Sequence, residues 1–185
     1  MVKDLKEIKE FLNNKNICLL GNAKGILETK KDIEKYDIIC RMNRGYPRGK
    51  EPYIGKRTDI LFLSTRLDET KMLQGFNPKF IVWMVDSDKR ANPYIKKNAI
   101  QNPVSDRDEL IIKLSQDKKK PSTGIMAIYF LLKYIDFKSL NIYGFDGYRS
   151  GTWYHNLKTQ NWHNFKNEEK LIEKWIKTKE NIKLL

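Results

Sequence analysis

The pattern of apolar runs predicts an α/β fold, a mostly parallel sheet flanked by helices on both faces. Three observations lead there. Short, largely apolar runs of strand length fall at residues 17–20, 37–43, 60–63, 80–85 and 140–143, with 182–185 as a candidate edge strand; runs of this kind suit strands covered on both sides. Between them lie helix-compatible segments, so strand and helix alternate along the chain. The runs close on Gly, Asn, Ser, Thr or Asp, which places polar groups at the carboxyl ends of parallel strands, where ligands of such folds bind.

The chain of 185 residues has no Pro/Ser-rich linker and no internal repeat, and it reads as one domain over residues 1–185. No run reaches the roughly 18 apolar residues that suggest a membrane span. The charged start, MVKDLKEIKE, lacks the apolar stretch of a signal peptide, so a cytoplasmic protein is expected. Cys18 and Cys40 sit inside apolar runs and read as buried reduced thiols, not as a disulfide or a metal site. The formal charge of +13 favours phosphorylated or polyanionic ligands, or an anionic membrane surface. Its lysines are dispersed, with Lys170, Lys174, Lys177 and Lys179 on the last helix, and no nucleic-acid module is present, so nucleic acid is not an expected partner.

Taken in order, Val2, Leu5, Ile8, Phe11 and Leu12 follow a helical period and predict an amphipathic helix that packs on the sheet. The run at 17–20 ends in Gly21-Asn22-Ala23, followed by a helix-compatible stretch over 24–31. A strand, a tight turn and a helix can present backbone N–H groups to a phosphate, or can serve only as a connection. The second strand turns polar at its end, with Arg41 and Asn43 on one side by the period of two; Asn43 lies level with Asn22 if the two strands are parallel neighbours. Residues 44–52 read as a loop. Gly55-Lys56-Arg57 lacks the remaining residues of a P-loop and is rejected as one. Asp86-Ser87-Asp88 closes the fourth strand, as a divalent-metal D-x-D or as an ordinary strand-ending turn. Residues 93–103 carry no clear signal, and 106–115 predict a helix. Ser122 or Thr123 is a natural N-cap for an apolar helix over 125–135, with Gly124 beside it.

The greatest concentration of titratable chemistry lies after the strand at 140–143. Glycines at 144, 147 and 151 lead into Trp153-Tyr154-His155 and Trp162-His163, which hold both histidines of the chain. Glu168 and Glu169 then open an amphipathic helix carrying Leu171, Ile172, Trp175 and Ile176. A single histidine is commonly structural; two in one glycine-bearing loop at a strand's carboxyl end read as the reactive wall of a site.

The segments CLLGNAKG, DIICRMNRG, IGKRTD, PSTGIMAIYFLL leading to LNIYGFDG, and the H-x4-E of His163 and Glu168 resemble, in order, the sialylmotifs of glycosyltransferase family 29. The resemblance runs from about Ile17 to Glu168. It implies a Rossmann-like, GT-A-variant fold and an inverting, metal-independent transfer of sialic acid from CMP-sialic acid to a sugar hydroxyl, with no further cofactor. It assigns Gly21, Asn22, Ala23 and Asn43 to the CMP phosphate and ribose, Ser122, Thr123 and Gly124 to CMP contacts from the second helix, and Tyr143, Gly144 and Phe145 to the strand end beneath the nucleotide. His163 matches the general base and His155 the histidine that supports the leaving phosphate.

The chain departs from the family at several points. Cys18 fits one half of the family's disulfide, but Phe137 stands where the other cysteine would be, as suits a cytosolic, bacterial-type enzyme. Ala23 replaces a common serine, and the interval between the two histidines is short. CMP-Kdo, another CMP-linked 2-keto acid, is the alternative donor, and a non-catalytic nucleotide-binding module is the alternative to an enzyme. A surface glycan such as lipooligosaccharide is the expected acceptor, with peripheral attachment to the inner membrane face.

Overall fold

The computed structural model describes residues 4–68, 74–86, 91–114, 119–154 and 162–185. It places seven strands in one sheet: β1 (Asn16–Leu20), β2 (Ile38–Met42), β3 (Ile60–Leu63), β4 (Phe80–Trp83), β5 (Ala99–Gln101), β6 (Ser139–Tyr143) and β7 (Ile182–Leu184). Their spatial order is β5-β4-β3-β2-β1-β6-β7, and every neighbouring pair is parallel. The chain builds outward from β1 to β5, returns across the sheet, and adds β6 and β7 on the other side of β1. The direction of winding therefore reverses between β1 and β6, which opens a crevice beyond their carboxyl ends.

One face is covered by α1 (Leu5–Leu12), α4 (Val104–Lys113), α5 (Thr123–Tyr134) and α6 (Phe165–Thr178). Ile8 and Leu12 of α1 and nine consecutive residues of α5, from Thr123 to Leu131, are buried there, against Ile17, Leu19, Cys40, Phe62, Leu140 and Ile142. An α-helix apolar all round must be a core element, and α5 is the central one. The other face receives the alternate strand residues, Cys18, Leu20, Ile39, Leu61 and Trp83 among them, beneath short helices α2 (Glu51–Ile54) and α3 (Pro93–Asn98).

Several expected elements are revised. The helix over 24–31 is a single 3-10 turn, Lys24–Leu27, and the Lys31 ammonium donates to the carbonyls of Ile26 and Thr29. Residues 44–52 are not all loop, since α2 begins at Glu51. The unassigned 93–103 stretch forms α3 and the edge strand β5. The last helix opens at Phe165 rather than at Glu168, with Asn164 accepting from the Asn167 N–H as its cap.

Arg41 and Asn43 do not share a side. Asn43 adopts φ 48°, a left-handed conformation that Asn tolerates, and this ends the alternation. Arg41 turns to the face of α2, where its buried guanidinium donates to the carbonyls of Ile54, Gly55 and Arg57 and to Thr58 Oγ1. Burial pulls its pKa down to about 10. Cys18 and Cys40 are free and buried, and burial pushes the Cys18 thiol up to about 12. Phe137 is buried in the main core. No described helix is long and apolar enough to cross a membrane.

Candidate active site

A cleft of about 1270 Å³ opens beyond the carboxyl ends of β1, β2 and β6, and its lining includes Gly21, Asn22, Asn43, Ser122, Thr123, Gly124, Gly144, Phe145 and His163. The crevice expected from the winding reversal and the cleft are the same place.

Its floor is a close backbone contact. Gly21 N–H donates to the Tyr143 carbonyl at 2.7 Å and Ala23 N–H to the Gly144 carbonyl at 3.2 Å. A Cβ on Gly21 would lie 2.2 Å from the Gly144 oxygen, so only glycine lets β1 and β6 meet there. Lys24 N–H is also taken, by Ser150 Oγ. The turn after β1 thus spends these N–H groups on the fold, and what it offers the cleft is chiefly the Asn22 side chain.

The β1–β2 register, carried past the strand ends, brings Asn22 level with Asn43. Asn22 Nδ2 donates to the Met42 carbonyl and to the Tyr154 hydroxyl, both at 3.2 Å, while its Oδ1 is buried with no partner among the described residues. Such an oxygen costs roughly 1–3 kcal/mol. Asn43 is tied more fully: Nδ2 donates to Thr123 Oγ1 at 3.1 Å, and Oδ1 accepts from the Ser64 N–H at 3.0 Å. Ser64 Oγ and Thr123 Oγ1 also bond each other. Ser64 was not singled out from sequence; the only available signal was a hydroxyl at the end of a buried strand.

Ser122 caps α5 by accepting from the Ile125 N–H, and its carbonyl takes Met126 N–H. Thr123 and Gly124, whose N–H groups need no intrahelical partner in the first turn, line the cleft at the positive end of the helix, an environment that suits an anion. Phe145 packs against Gly124. Tyr143 is placed elsewhere: its side chain lies among Cys18, Leu20 and Ile39 on the far face, with its hydroxyl 2.8 Å from that of Tyr36. Only its backbone serves the site.

A further part of the lining comes from residues 162–169, held to the segment before α5 by several bonds. Lys120 N–H donates to the Trp162 carbonyl at 3.2 Å, and His163 Nδ1 lies 2.6 Å from the Lys120 carbonyl. A carbonyl only accepts, so Nδ1 carries the proton and Nε2 is left with its lone pair. Desolvation lowers the imidazole pKa, with the Lys120 bond opposing it; the ring is neutral at pH 7. Phe165 meets the ring edge-on at 5.5 Å and stacks on Tyr148.

Glu168, also absent from the sequence-derived set although it closes the H-x4-E motif, is 4% exposed. It accepts from Ser122 N–H at 2.8 Å and from Ser122 Oγ at 2.6 Å. Burial raises its pKa to about 7 against the pull of those two bonds. His163 and Glu168 therefore grip one short segment at two points and set the α5 N-terminus relative to the imidazole. His155, Ser87 and Asp88 lie outside the described residues; Asp86 forms a 2.9 Å ion pair with Arg107.

No family model matches the chain. A human type 2 lactosamine α-2,3-sialyltransferase is 31% identical over 150 residues, spanning 62% of this chain and 45% of the relative. A chicken CMP-N-acetylneuraminate-β-galactosamide-α-2,3-sialyltransferase 1 is 23% identical over 159 residues, 75% of this chain and 46% of the relative. The chain thus spans less than half the length of the curated relatives it matches. Among solved structures, a mammalian sialyltransferase superposes with a TM-score of 0.67 at 19% identity, over 100% of this chain and 73% of the other. The Campylobacter jejuni sialyltransferase CstII, in complex with cytidine-5'-monophosphate, superposes at 0.63 with 16% identity, over 94% and 80%. These likenesses show a shared parallel α/β fold, and the relatives and neighbours cited are sialyltransferases.

Proposed function

We propose that this chain is a glycosyltransferase that moves a CMP-activated 2-keto acid sugar, sialic acid first, onto a glycan hydroxyl, with inversion and without a metal. The observation that carries the reading is the imidazole of His163, locked by the Lys120 carbonyl with Nε2 as its basic nitrogen on the wall of a cleft that also holds Asn22, Asn43 and the α5 N-terminus. The names of the relatives supply the donor class.

In the proposed reaction the acceptor hydroxyl loses its proton to Nε2 as its oxygen attacks the anomeric carbon. The bond from that carbon to the phosphate oxygen breaks, and CMP leaves with the electron pair. One displacement from the face opposite the leaving group inverts the centre. A base with a depressed pKa is already neutral at pH 7, and a positioned base of this kind contributes roughly 10²–10⁴-fold. The departing phosphate gains charge, which the Thr123 and Gly124 N–H groups, the asparagine amides and His155 would stabilise. Asp86 is engaged by Arg107, and these donors give a monophosphate leaving group its support without a cation.

The +13 charge supports attraction of the dianionic donor and peripheral attachment to an anionic membrane face bearing the acceptor, for which lipooligosaccharide is a suitable class. The two free buried cysteines suit a reducing, cytoplasmic setting. CMP release measured with CMP-sialic acid and with CMP-Kdo separates the two donors. Absence of CMP binding in calorimetry refutes the reading, whereas CMP binding without turnover on any glycan favours a non-catalytic module.

A further inference from the structure

Among the described residues Trp162 is the most solvent-exposed aromatic of the large exposed apolar side chains, at 71%, yet it stands on the wall of the cleft immediately before His163. An indole left in water forgoes about 2–3 kcal/mol of burial, and none of the described core clusters takes it in. Its backbone, by contrast, is tied through its carbonyl, which accepts from Lys120 N–H, and the side chain of the next residue, His163, bonds the Lys120 carbonyl through Nδ1. A large flat face on a fixed backbone has few rotatable bonds to immobilise on binding, which is how aromatic residues give contact area at low entropic cost.

We propose that Trp162 is the platform for the acceptor sugar, resting on the transferase reading above: its indole stacks on the apolar C–H face of a pyranose whose hydroxyl points to His163 Nε2. Two features choose the acceptor over the nucleotide. The asparagines suited to phosphate and ribose, Asn22 and Asn43, stand after β1 and β2, whereas Trp162 belongs to the segment that carries the base. The acceptor, moreover, must enter from solvent on the side of the base, because Nε2 takes its proton. The class of acceptor follows: a neutral pyranoside that presents one face free of axial hydroxyls, not a charged or furanose acceptor.

The test uses the full chain with Trp162→Ala and Trp162→Phe. CMP affinity is read by calorimetry, glycan contact by saturation-transfer NMR with CMP present, and transfer kinetics with CMP-sialic acid. The glycan probes are lactosamine and Gal-β-1-3GalNAc-ortho-nitrophenol. For Trp162→Ala we expect an acceptor KM raised about tenfold or more, kcat within a few-fold, loss of saturation transfer to the pyranose protons, and unchanged CMP affinity; Trp162→Phe restores most of the KM. An unchanged acceptor KM or undiminished saturation transfer overturns the assignment. So does weakened CMP binding with an unaltered acceptor KM, which would place the indole against cytosine. CMP binding with no glycan contact in the wild type overturns this inference alone, whereas no CMP binding overturns the transferase reading as well.

Discussion

Glu168→Gln isolates a carboxyl that the fold holds in an unusual state. In the folded chain its pKa is raised from 4.5 to about 7, chiefly by burial, and at 4% exposure solvent screening is slight. A raised acid binds more protons in the folded than in the unfolded state between those two values. Its contribution is therefore fully present below pH 4.5 and is lost as pH rises through 7. At about 1.4 kcal/mol per unit, the loss amounts to about 3 kcal/mol. Glutamine has the shape of the protonated acid: its Oε1 accepts from Ser122 N–H and its Nε2 donates to Ser122 Oγ, so both bonds survive. Urea unfolding of both proteins at pH 5, 6, 7 and 8 should show the variant gaining on the wild type by about 2.5 kcal/mol across the range, most of it between pH 5 and 7, levelling off above 7. Parallel stability curves would refute the buried, proton-accepting Glu168. Glu168→Ala serves as a control: it orphans the Ser122 N–H and should destabilise by about 2–4 kcal/mol near pH 5, with the deficit shrinking toward pH 8 because it too lacks the titrating carboxyl.

Three further outcomes are expected. His163→Ala should lower kcat by roughly 10²–10⁴ while leaving the CMP dissociation constant within about twofold; full activity would remove His163 as the base. Asn43→Gly keeps the left-handed backbone but drops the bonds to Thr123 and Ser64, so CMP should bind about tenfold more weakly in calorimetry, and Asn43→Ala should add about 1 kcal/mol of strain in urea unfolding. Gly21→Ala forces the ends of β1 and β6 apart and should cost about 3 kcal/mol of stability by the same measurement, an effect that surface alanines would not show.

What could be read from the residues depended on how local the cause was. Apolar strands such as Ile60–Leu63 and the cap at Ser122 are written in a few adjacent residues, and the structure reproduces them. The level pairing of Asn22 and Asn43 followed from one assumption, parallel neighbours, which the register satisfies. The failures have other causes. The helix expected after Ala23 is only a four-residue 3-10 turn, β5 has only three residues and little apolar pattern, and Asn43 leaves its strand's alternation through a positive φ. Glu168 and Ser64 escaped notice because their partners are 46 and 59 residues away in sequence, at Ser122 and Thr123, and no spacing rule reports such pairs. Tyr143 was drawn into the site by its place in a motif, although strand alternation from Leu140 and Ile142 already assigns it to the other face.

On the proposed transferase reading, the same geometry ties nucleotide binding to protonation. Glu168 bonds Ser122, the cap of the helix whose Thr123 and Gly124 N–H groups face the cleft, so a phosphate received there stands close to its carboxyl. A neighbouring negative charge disfavours ionisation and raises the pKa further above about 7. Linkage then requires that nucleotide binding draw a proton onto Glu168 at pH 7–8, and that affinity weaken as pH rises through that interval. Calorimetric titration of CMP in buffers of different ionisation enthalpy measures the uptake directly. The nucleotide's own phosphate ionisation is common to both proteins and cancels when wild type and Glu168→Gln are compared. We expect about half a proton more for the wild type. Equal uptake in the two proteins would mean that the phosphate is held away from the α5 N-terminus, and the asparagines after β1 and β2 would then carry its charge alone.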